Sequence, residues 1–430
     1  MKQFFTLFLV CIFFSCADEQ DAPLGDSDTF VKMYGGPNSD IAFFAKETDD
    51  GGFILLGTTE IESNSGLGSY YKIKLIKTDQ FGNTAWESVY PPEFTEPVTY
   101  SLKGRSLIET NDGYIVVGDR INHPDGFVSV SSLSQMQLLK VNISGNQTNE
   151  ITFTNENPNS SSFGFDVLQD VGGNIAVLGA INSNTSAGDS TLIIHYNPSL
   201  SANAICSDKY LNNYTLDNGL PLIAKSFYQN PNDETFVVAG TEGTNGSSDF
   251  RLTVFNNCGT VASGGKLINN GSEYELGQVI AINNGFACVG TTSSTDKTDK
   301  DMFIILLDKE GVPTRIVRIT NIGEKGTAVG SEGDITNDEE GITIAATSDG
   351  GFIVAGSSIS NSRGETDILV IKTEALGDVQ WFIRLGDVNP EYATHIEQCS
   401  DGGYIVFGNT ELGGVNTMVL TKISKYGELN

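Results

Sequence analysis

One motif returns seven times along the chain, and it fixes what the chain can fold into. It reads ETDDGGFILLG at Glu47–Gly57, ETNDGYIVVG at Glu109–Gly118 and QDVGGNIAVLG at Gln169–Gly179. Four further copies are NPNDETFVVAG at Asn230–Gly240, INNGFACVG at Ile282–Gly290, ATSDGGFIVAG at Ala346–Gly356 and QCSDGGYIVFG at Gln398–Gly408. Successive closing glycines lie 61, 61, 61, 50, 66 and 52 residues apart. A repeat of this length is one supersecondary unit whose apolar face is covered only by its neighbours. Asp-Gly, Asn-Gly and Gly-Gly supply the positive φ that a two-residue hairpin turn needs. The apolar run behind each turn is short, rich in β-branched and aromatic residues, and ends at Gly, which predicts a buried strand rather than a helix. Each turn therefore joins two antiparallel strands, A and B.

A third strand, C, follows every B: KIKLIKT at Lys72–Thr78, QLLKVN at Gln137–Asn142, LIIHYN at Leu192–Asn197, FIILLD at Phe303–Asp308, ILVIKT at Ile368–Thr373 and MVLTKI at Met418–Ile423. After a second turn comes strand D, as in TAWESVY at Thr84–Tyr90, TRIVRIT at Thr314–Thr320 and VQWFIRLG at Val379–Gly386. Four antiparallel strands in each of seven units predict an all-β fold, a seven-bladed β-propeller. The seventh unit stops at Asn430 without a strand D, whereas TFVKMYGG at Thr29–Gly36 precedes unit one as an orphan strand. That N-terminal strand is expected to complete the last blade and close the ring, which removes exposed sheet edges. Blade four carries Gly264-Gly265 in its strand D, where a bulge is expected.

The units resemble the tandem DGGYIVxG-type repeats, each followed by an IKTDxxGNxxW segment, of predicted propellers in secreted and surface proteins of Bacteroidota. Blades one and six carry the resemblance through Lys77-Thr78-Asp79, Gly82-Asn83 and Trp86, and through Lys372-Thr373-Glu374, Gly377-Asp378 and Trp381; blades three to five have drifted. The resemblance implies the fold and leaves activity open, because propellers host many unrelated functions.

The N-terminus implies a location. Lys2 precedes an apolar run, Phe4–Phe14, and then Ser15-Cys16. This is the layout of a signal peptide, and the run is shorter than the roughly 20 apolar residues that span a bilayer. With Cys at the cut, the segment resembles a bacterial lipoprotein signal, which implies that residues 1–15 are removed and Cys16 carries the lipid. Ala17-Asp18-Glu19-Gln20-Asp21 resembles the acidic tag of Bacteroidota lipoproteins exported to the cell surface. The expected layout is a signal over 1–15, a lipidated acidic tether over 16–28, and one propeller domain over 29–430. The expected location is the outer membrane, at the cell surface.

Charge narrows the partners. The chain has 25 Lys+Arg against 54 Asp+Glu, a net −29. Phosphate binding needs clustered positive charge, so nucleic acid is excluded as a partner. No CxxC or His/Cys cluster suggests zinc, and no dense DxDxDG loop suggests calcium. Asp189, Asp249, Asp301 and Asp367 recur before strand C and read as turn or cap residues. No cofactor is expected. Once Cys11 leaves with the signal and Cys16 takes lipid, Cys206, Cys258, Cys288 and Cys399 remain, and four cysteines allow three pairings. Cys206 and Cys258 fall in neighbouring repeats, a placement that allows a disulfide, and Cys288 reads as a buried free thiol.

The A–B turns are uniformly short, whereas the long segments are all B–C or D–A connections: Pro91–Gly104, Asp119–Ser134, Thr154–Phe163, Asn212–Leu222 and Asn321–Gly341. In a propeller these lie on one face, the expected binding face. Its candidate contact residues are Tyr70, Tyr71, Phe94, Tyr100, His123, Phe127 and Tyr214, with Phe163 and Tyr210; aromatic side chains suit a protein interface or stacking on sugars. The three His residues and the sequence motifs give no support for catalysis, with no GxSxG or HExxH among them. The expected function is a non-catalytic surface lipoprotein acting as an accessory subunit of an outer-membrane or secreted protein complex. Two alternatives stand beside it: a glycan-binding module in polysaccharide capture, and a polysaccharide hydrolase or lyase.

Overall fold

The computed structural model describes residues 29–429 apart from 63–68, 94–97, 124–132, 154–158, 183–189, 202–221, 231–233, 245–246, 256–260, 269–271, 295–299, 320–337 and 360–364. All regular structure among them is β. The strands form seven antiparallel sheets, six of four strands and one, in blade three, with three described strands. Each blade meanders A-B-C-D, and the A strands touch the A strands of both neighbouring blades, so they form the inner ring of a seven-bladed propeller.

Packing explains why strands B and C read as unbroken apolar runs. Seven hydrophobic clusters sit between successive blades. Alternate residues of one strand serve two of them: Phe53 and Leu55 face blade seven, while Ile54 and Leu56 face blade two. A sheet covered on both faces has no polar side to show.

The N-terminal strand closes the ring as the sequence predicts. Phe30–Tyr34 pairs antiparallel with strand C of blade seven, Val415–Ile423, from Phe30 opposite Lys422 to Tyr34 opposite Met418. It also reproduces the outer clasp of an ordinary strand D. In blade one, Trp86 lies on Gly145 in the C–D turn of blade two, and the Tyr90 hydroxyl donates to the Gly145 carbonyl. At the closure, Phe30 lies on Gly82 in the C–D turn of blade one, and the Tyr34 hydroxyl donates to the Gly82 carbonyl at 2.7 Å. A Cβ on Gly145 would stand 2.8 Å from the Trp86 ring, and φ there is +76°, so the GNxxW pattern records a contact between blades as well as a turn.

The closing glycines do something the sequence reading did not foresee. Strand B does not end at them: in blade one it runs Phe53–Glu62, five residues beyond Gly57. In every blade the closing glycine pairs with strand A at a β-bulge, where one extra residue is inserted, as at Ala42/Phe44, Gly104/Ser106 and Gly341/Thr343. The bulge tips a strand A carbonyl over the glycine. A Cβ on Gly118 would lie 1.9 Å from the Lys103 oxygen, and one on Gly356 would lie 1.7 Å from the Glu340 oxygen. The repeat demands glycine there for close approach, not for a turn. The expected irregularity in blade four is present, as register shifts where Leu252 pairs with Lys266 and Val254 with Ser263.

Candidate functional site

The two faces of the ring differ in how far side chains fix them. On the face of the A–B and C–D turns, two devices recur. The first is a buried lysine near the end of strand C, clamped by an exposed aspartate of the A–B turn: Lys77–Asp50 at 2.9 Å, Lys140–Asp112 at 2.8 Å, Lys372–Asp349 at 2.9 Å and Lys422–Asp401 at 2.6 Å. Blade three substitutes His195, buried, with Nδ1 3.1 Å from Asp170. Burial alone would raise the Asp50 carboxyl, but hydrogen bonds from Lys77, Thr48 and the Gly52 N–H outweigh it and hold the group at about 2. Asp349 stands at about 2 for the same balance, with Thr347, Lys372 and Gly351 as donors. At the equivalent place blades four and five have Val254 and Leu306, opposite Val237 and Ala287.

The second device is a latch between blades. The residue that pairs with the first apolar residue of strand B is Glu47, Glu109, Gln169, Gln229 or Gln398 in five blades. In four of the five the side chain accepts a backbone N–H from the turn of the preceding blade, as Ser400 to Glu47 at 2.6 Å, Val171 to Gln229 at 2.7 Å and Ser348 to Gln398 at 2.7 Å, while the Gln169 amide donates to the Gly173 carbonyl of its own turn. Glu109 likewise accepts the Asp49 N–H. In blades five and six the position is Ala281 and Ala346.

A cleft opens where both devices fail. It occupies 550 Å³ and spans blades four, five and six on the turn face, with Ala281 and Ala346 in its wall. Asn283 and Asn284 of the blade five turn, and Lys309 of its C–D turn, stand exposed around it. Buried Phe286 and Phe352 form the floor, and half-buried Tyr228 lines the blade four side. The volume lies within the range of about 300–1,000 Å³ typical of small-molecule sites. The sequence reading placed binding on the opposite face and did not single out these residues.

On that opposite face, four of the aromatics read as loop residues belong to strands: Phe163 lies in strand A of blade three, Ser161–Gln169, and the B–C ladder of blade one continues to Glu62 opposite Ser69. Tyr70 and Tyr71 lie in Ser69–Thr78, and Tyr100 opens strand A of blade two, Tyr100–Thr110. Tyr70 is buried edge-on against His123, which is fully buried and 3.0 Å from the Ser101 hydroxyl. Those two are packing residues. Tyr71 and Tyr100 stay partly open, and each carries a cation: Lys103 Nζ lies 3.6 Å from the Tyr71 ring centre, and the Arg120 guanidinium 3.6 Å from that of Tyr100. Arg105 stands beside them, held to Asp119 at 3.1 Å. Burial and then the Glu60 carboxylate push the Tyr71 hydroxyl up. Phe94, Phe127, Tyr210, Tyr214, Cys206 and Cys258 lie outside the described residues, as does the lipid-attachment position Cys16. Cys288 and Cys399 are buried free thiols.

Several buried titratable groups are engaged within the ring. His395 lies 4.1 Å from the Phe44 ring, and burial and then the Lys46 charge push it down to about 3. Near the starts of blades one, six and seven, a strand A acid accepts a strand B hydroxyl: Asp40 from Thr59, Glu339 from Ser358 and Glu391 from Thr410. Asp301 and Asp367 are buried first residues of strand C. Among the described residues no three His, Cys, Asp or Glu side chains converge as metal ligands, and no helix is long and apolar enough to cross a membrane.

No protein-family model and no curated protein matches the sequence. Solved structures match it in fold. The polysaccharide lyase Uly1 shares 10% identity at a TM-score of 0.51, with 91% of each chain covered. A prolyl endopeptidase shares 10% identity at 0.50, covering 91% of this chain and 48% of that one. A Trypanosoma rangeli sialidase bound to the inhibitor DANA shares 8% at 0.43, covering 90% of this chain and 55% of the sialidase. The chain thus spans about half the length of the last two. At such identities the likeness establishes the propeller fold alone.

Proposed function

We propose that the protein is a non-catalytic, lipid-anchored binding subunit of the cell surface, docking on an outer-membrane or secreted protein through the loop face of blades one and two. The observation that supports this is the cation–aromatic group there: Tyr71 with Lys103, and Tyr100 with Arg120, beside Arg105. In a chain of net −29, these cations gather where two tyrosines are half exposed. Tyrosine and arginine are the side chains most enriched at the energetic centres of protein interfaces.

Strand polarity fits this reading. Phe30 lies opposite Lys422, beside the C–D turn of blade seven, so the chain enters the ring on the turn face. An anchor at Cys16 would then hold the turn face toward the membrane and leave the loop face turned outward. The test is capture of the tagged protein from its own outer membrane in mild detergent, with mass spectrometry of what accompanies it. The expected result is a stoichiometric membrane or secreted protein that is lost from Tyr100→Ala and Arg120→Glu. A protein that emerges alone would sink the subunit reading for stable complexes.

A further inference from the structure

We propose that the turn-face cleft of blades four to six is a saccharide-binding site that prefers carboxylate-bearing sugars. The inference goes beyond the subunit reading and does not depend on it, since it concerns the other face and other blades.

The cleft is a place where the repeat has been changed, not a gap between irregular loops. Both interfaces with alanine at the latch position, Ala281 and Ala346, open into it, and the clamp lysine of blade five is replaced by Leu306. The ring is otherwise regular there: the A–B ladders of blades five and six keep their bulges and their closing glycines Gly290 and Gly356. What has gone is the set of long polar side chains that fill the same space elsewhere.

The remaining lining favours a sugar over an extended peptide. Peptides add to sheets through free edge N–H and C=O groups, but the blade six wall is a turn whose backbone groups bond within it, and the C–D turn that carries Lys309 is closed in the same way. Thr347 N–H donates to the Gly351 carbonyl, Gly350 N–H to that of Thr347, and Gly311 N–H to that of Asp308. Recognition falls to side chains. The exposed Asn283 and Asn284 amides both donate and accept, as ring hydroxyls do. Half-buried Tyr228 offers an aromatic ring to the face of a sugar, over a floor closed by the buried Phe286 and Phe352. Among the described residues the lining holds no carboxylate, although the chain has 54 Asp+Glu, and its one charge is Lys309. Among the described lining residues a cationic ligand finds no carboxylate, whereas a sugar carboxylate finds Lys309.

The experiment is calorimetric titration of the full propeller with trigalacturonate, trimannuronate, maltotriose, cellotriose and chitotriose. Ala346→Gln rebuilds the latch and refills the space. The expected result is binding of at least one acidic trisaccharide, weakened at least tenfold by Ala346→Gln and several-fold by Lys309→Ala. Glu47→Ala, which removes the latch between blades seven and one, away from the cleft lining, should leave binding unchanged. Thermal unfolding confirms that each variant is folded; Asn284→Ala, on an exposed turn, replaces Ala346→Gln if that variant is not. Binding of none of the five sugars, equal binding by wild type and Ala346→Gln, or binding of an acidic decapeptide in their place would overturn the proposal. The outcome is independent of the capture experiment, which reads the loop face.

Discussion

Blades seven, one and two differ from blades four, five and six in what fastens their turn faces. Both groups keep the antiparallel meander, the bulge in strand A and the glycine opposite it. On the turn face the first group carries Lys77, Lys140 and Lys422 on aspartates and the latch acceptors Glu47, Glu109 and Gln398, whereas blade five has Leu306 and blades five and six have Ala281 and Ala346. Seven bulged ladders make the ring; the clasps over its turn face are local and separable from it. A site can therefore form by losing clasps in adjacent blades while the ring stays closed.

The sharpest way to break this comparison is to attack the device that all blades share. Gly118→Ala in blade two and Gly290→Ala in blade five each press a Cβ into a strand A carbonyl, 1.9 Å and 2.2 Å away. Backbone that cannot yield makes such overpacking cost about 3 kcal/mol or more. Chemical denaturation should show both variants destabilised to a similar degree. A much smaller loss in blade five would mean that the drifted blades have relaxed throughout, not just on their turn face.

The next effect belongs only to the clasped blades. Asp349→Ala leaves Lys372 buried with the Thr373 carbonyl as its remaining acceptor, at 2.7 Å. An uncompensated buried cation is expensive, but Asp349 is itself half open to water, which screens the pair, so a loss of about 1–2 kcal/mol is expected. Lys372→Met in the same background should recover much of it, as the apolar residues of blades four and five imply. If the double variant is no more stable than Asp349→Ala, the clamp has another role.

Latches should trade in both directions at smaller scale. Gln398→Ala removes an acceptor for the Ser348 N–H and is expected to cost about 1 kcal/mol, while Ala346→Gln adds one and should gain somewhat less, because the side chain must be ordered. A loss of stability in Ala346→Gln would show that the space has been shaped against a long side chain.

These residues also mark how much was legible in the sequence. The fold was, because turn chemistry and strand period are local, and seven copies made one noisy signal seven times over. The latch was visible too: four of the seven copies open on Glu or Gln, and a fifth, blade four, has Gln229 one place earlier. A first letter of a motif reads as flanking sequence until a neighbouring blade supplies its donor. Tyr70 and His123 were illegible as packing residues for a related reason. Nothing local says that the blade one ladder runs on past Gly57 to Ser69, and that extension is what presses Tyr70 onto His123. The closing glycine was read as a strand end because its cause, a bulge in strand A, leaves no composition signal of its own.

The acid limb of stability costs nothing at neutral pH and emerges only on acidification. In the folded protein Asp50 and Asp349 are held at about 2, below the ordinary 3.8. A carboxyl depressed by folding contributes stability that is fully present above its unfolded value and is lost as pH falls through the folded one. The contribution of each clamp should therefore be intact at neutral pH and fade between about pH 4 and pH 2. His395, pushed down to about 3 from 6.5, acts in the same direction over a higher window: it must stay neutral in the fold, so stability declines as pH drops below its unfolded value. Thermal unfolding from pH 7 to pH 2.5 separates the two. His395→Gln should flatten the curve between pH 6 and pH 4, and the double variant Asp50→Asn, Asp349→Asn should flatten it only below about pH 4. The clamps are exposed and screened, so their share is the lesser one. If the double variant changes the limb near pH 6 instead, the aspartates are coupled to the core through more than their lysines, and the turn face is less separable from the ring than the blades imply.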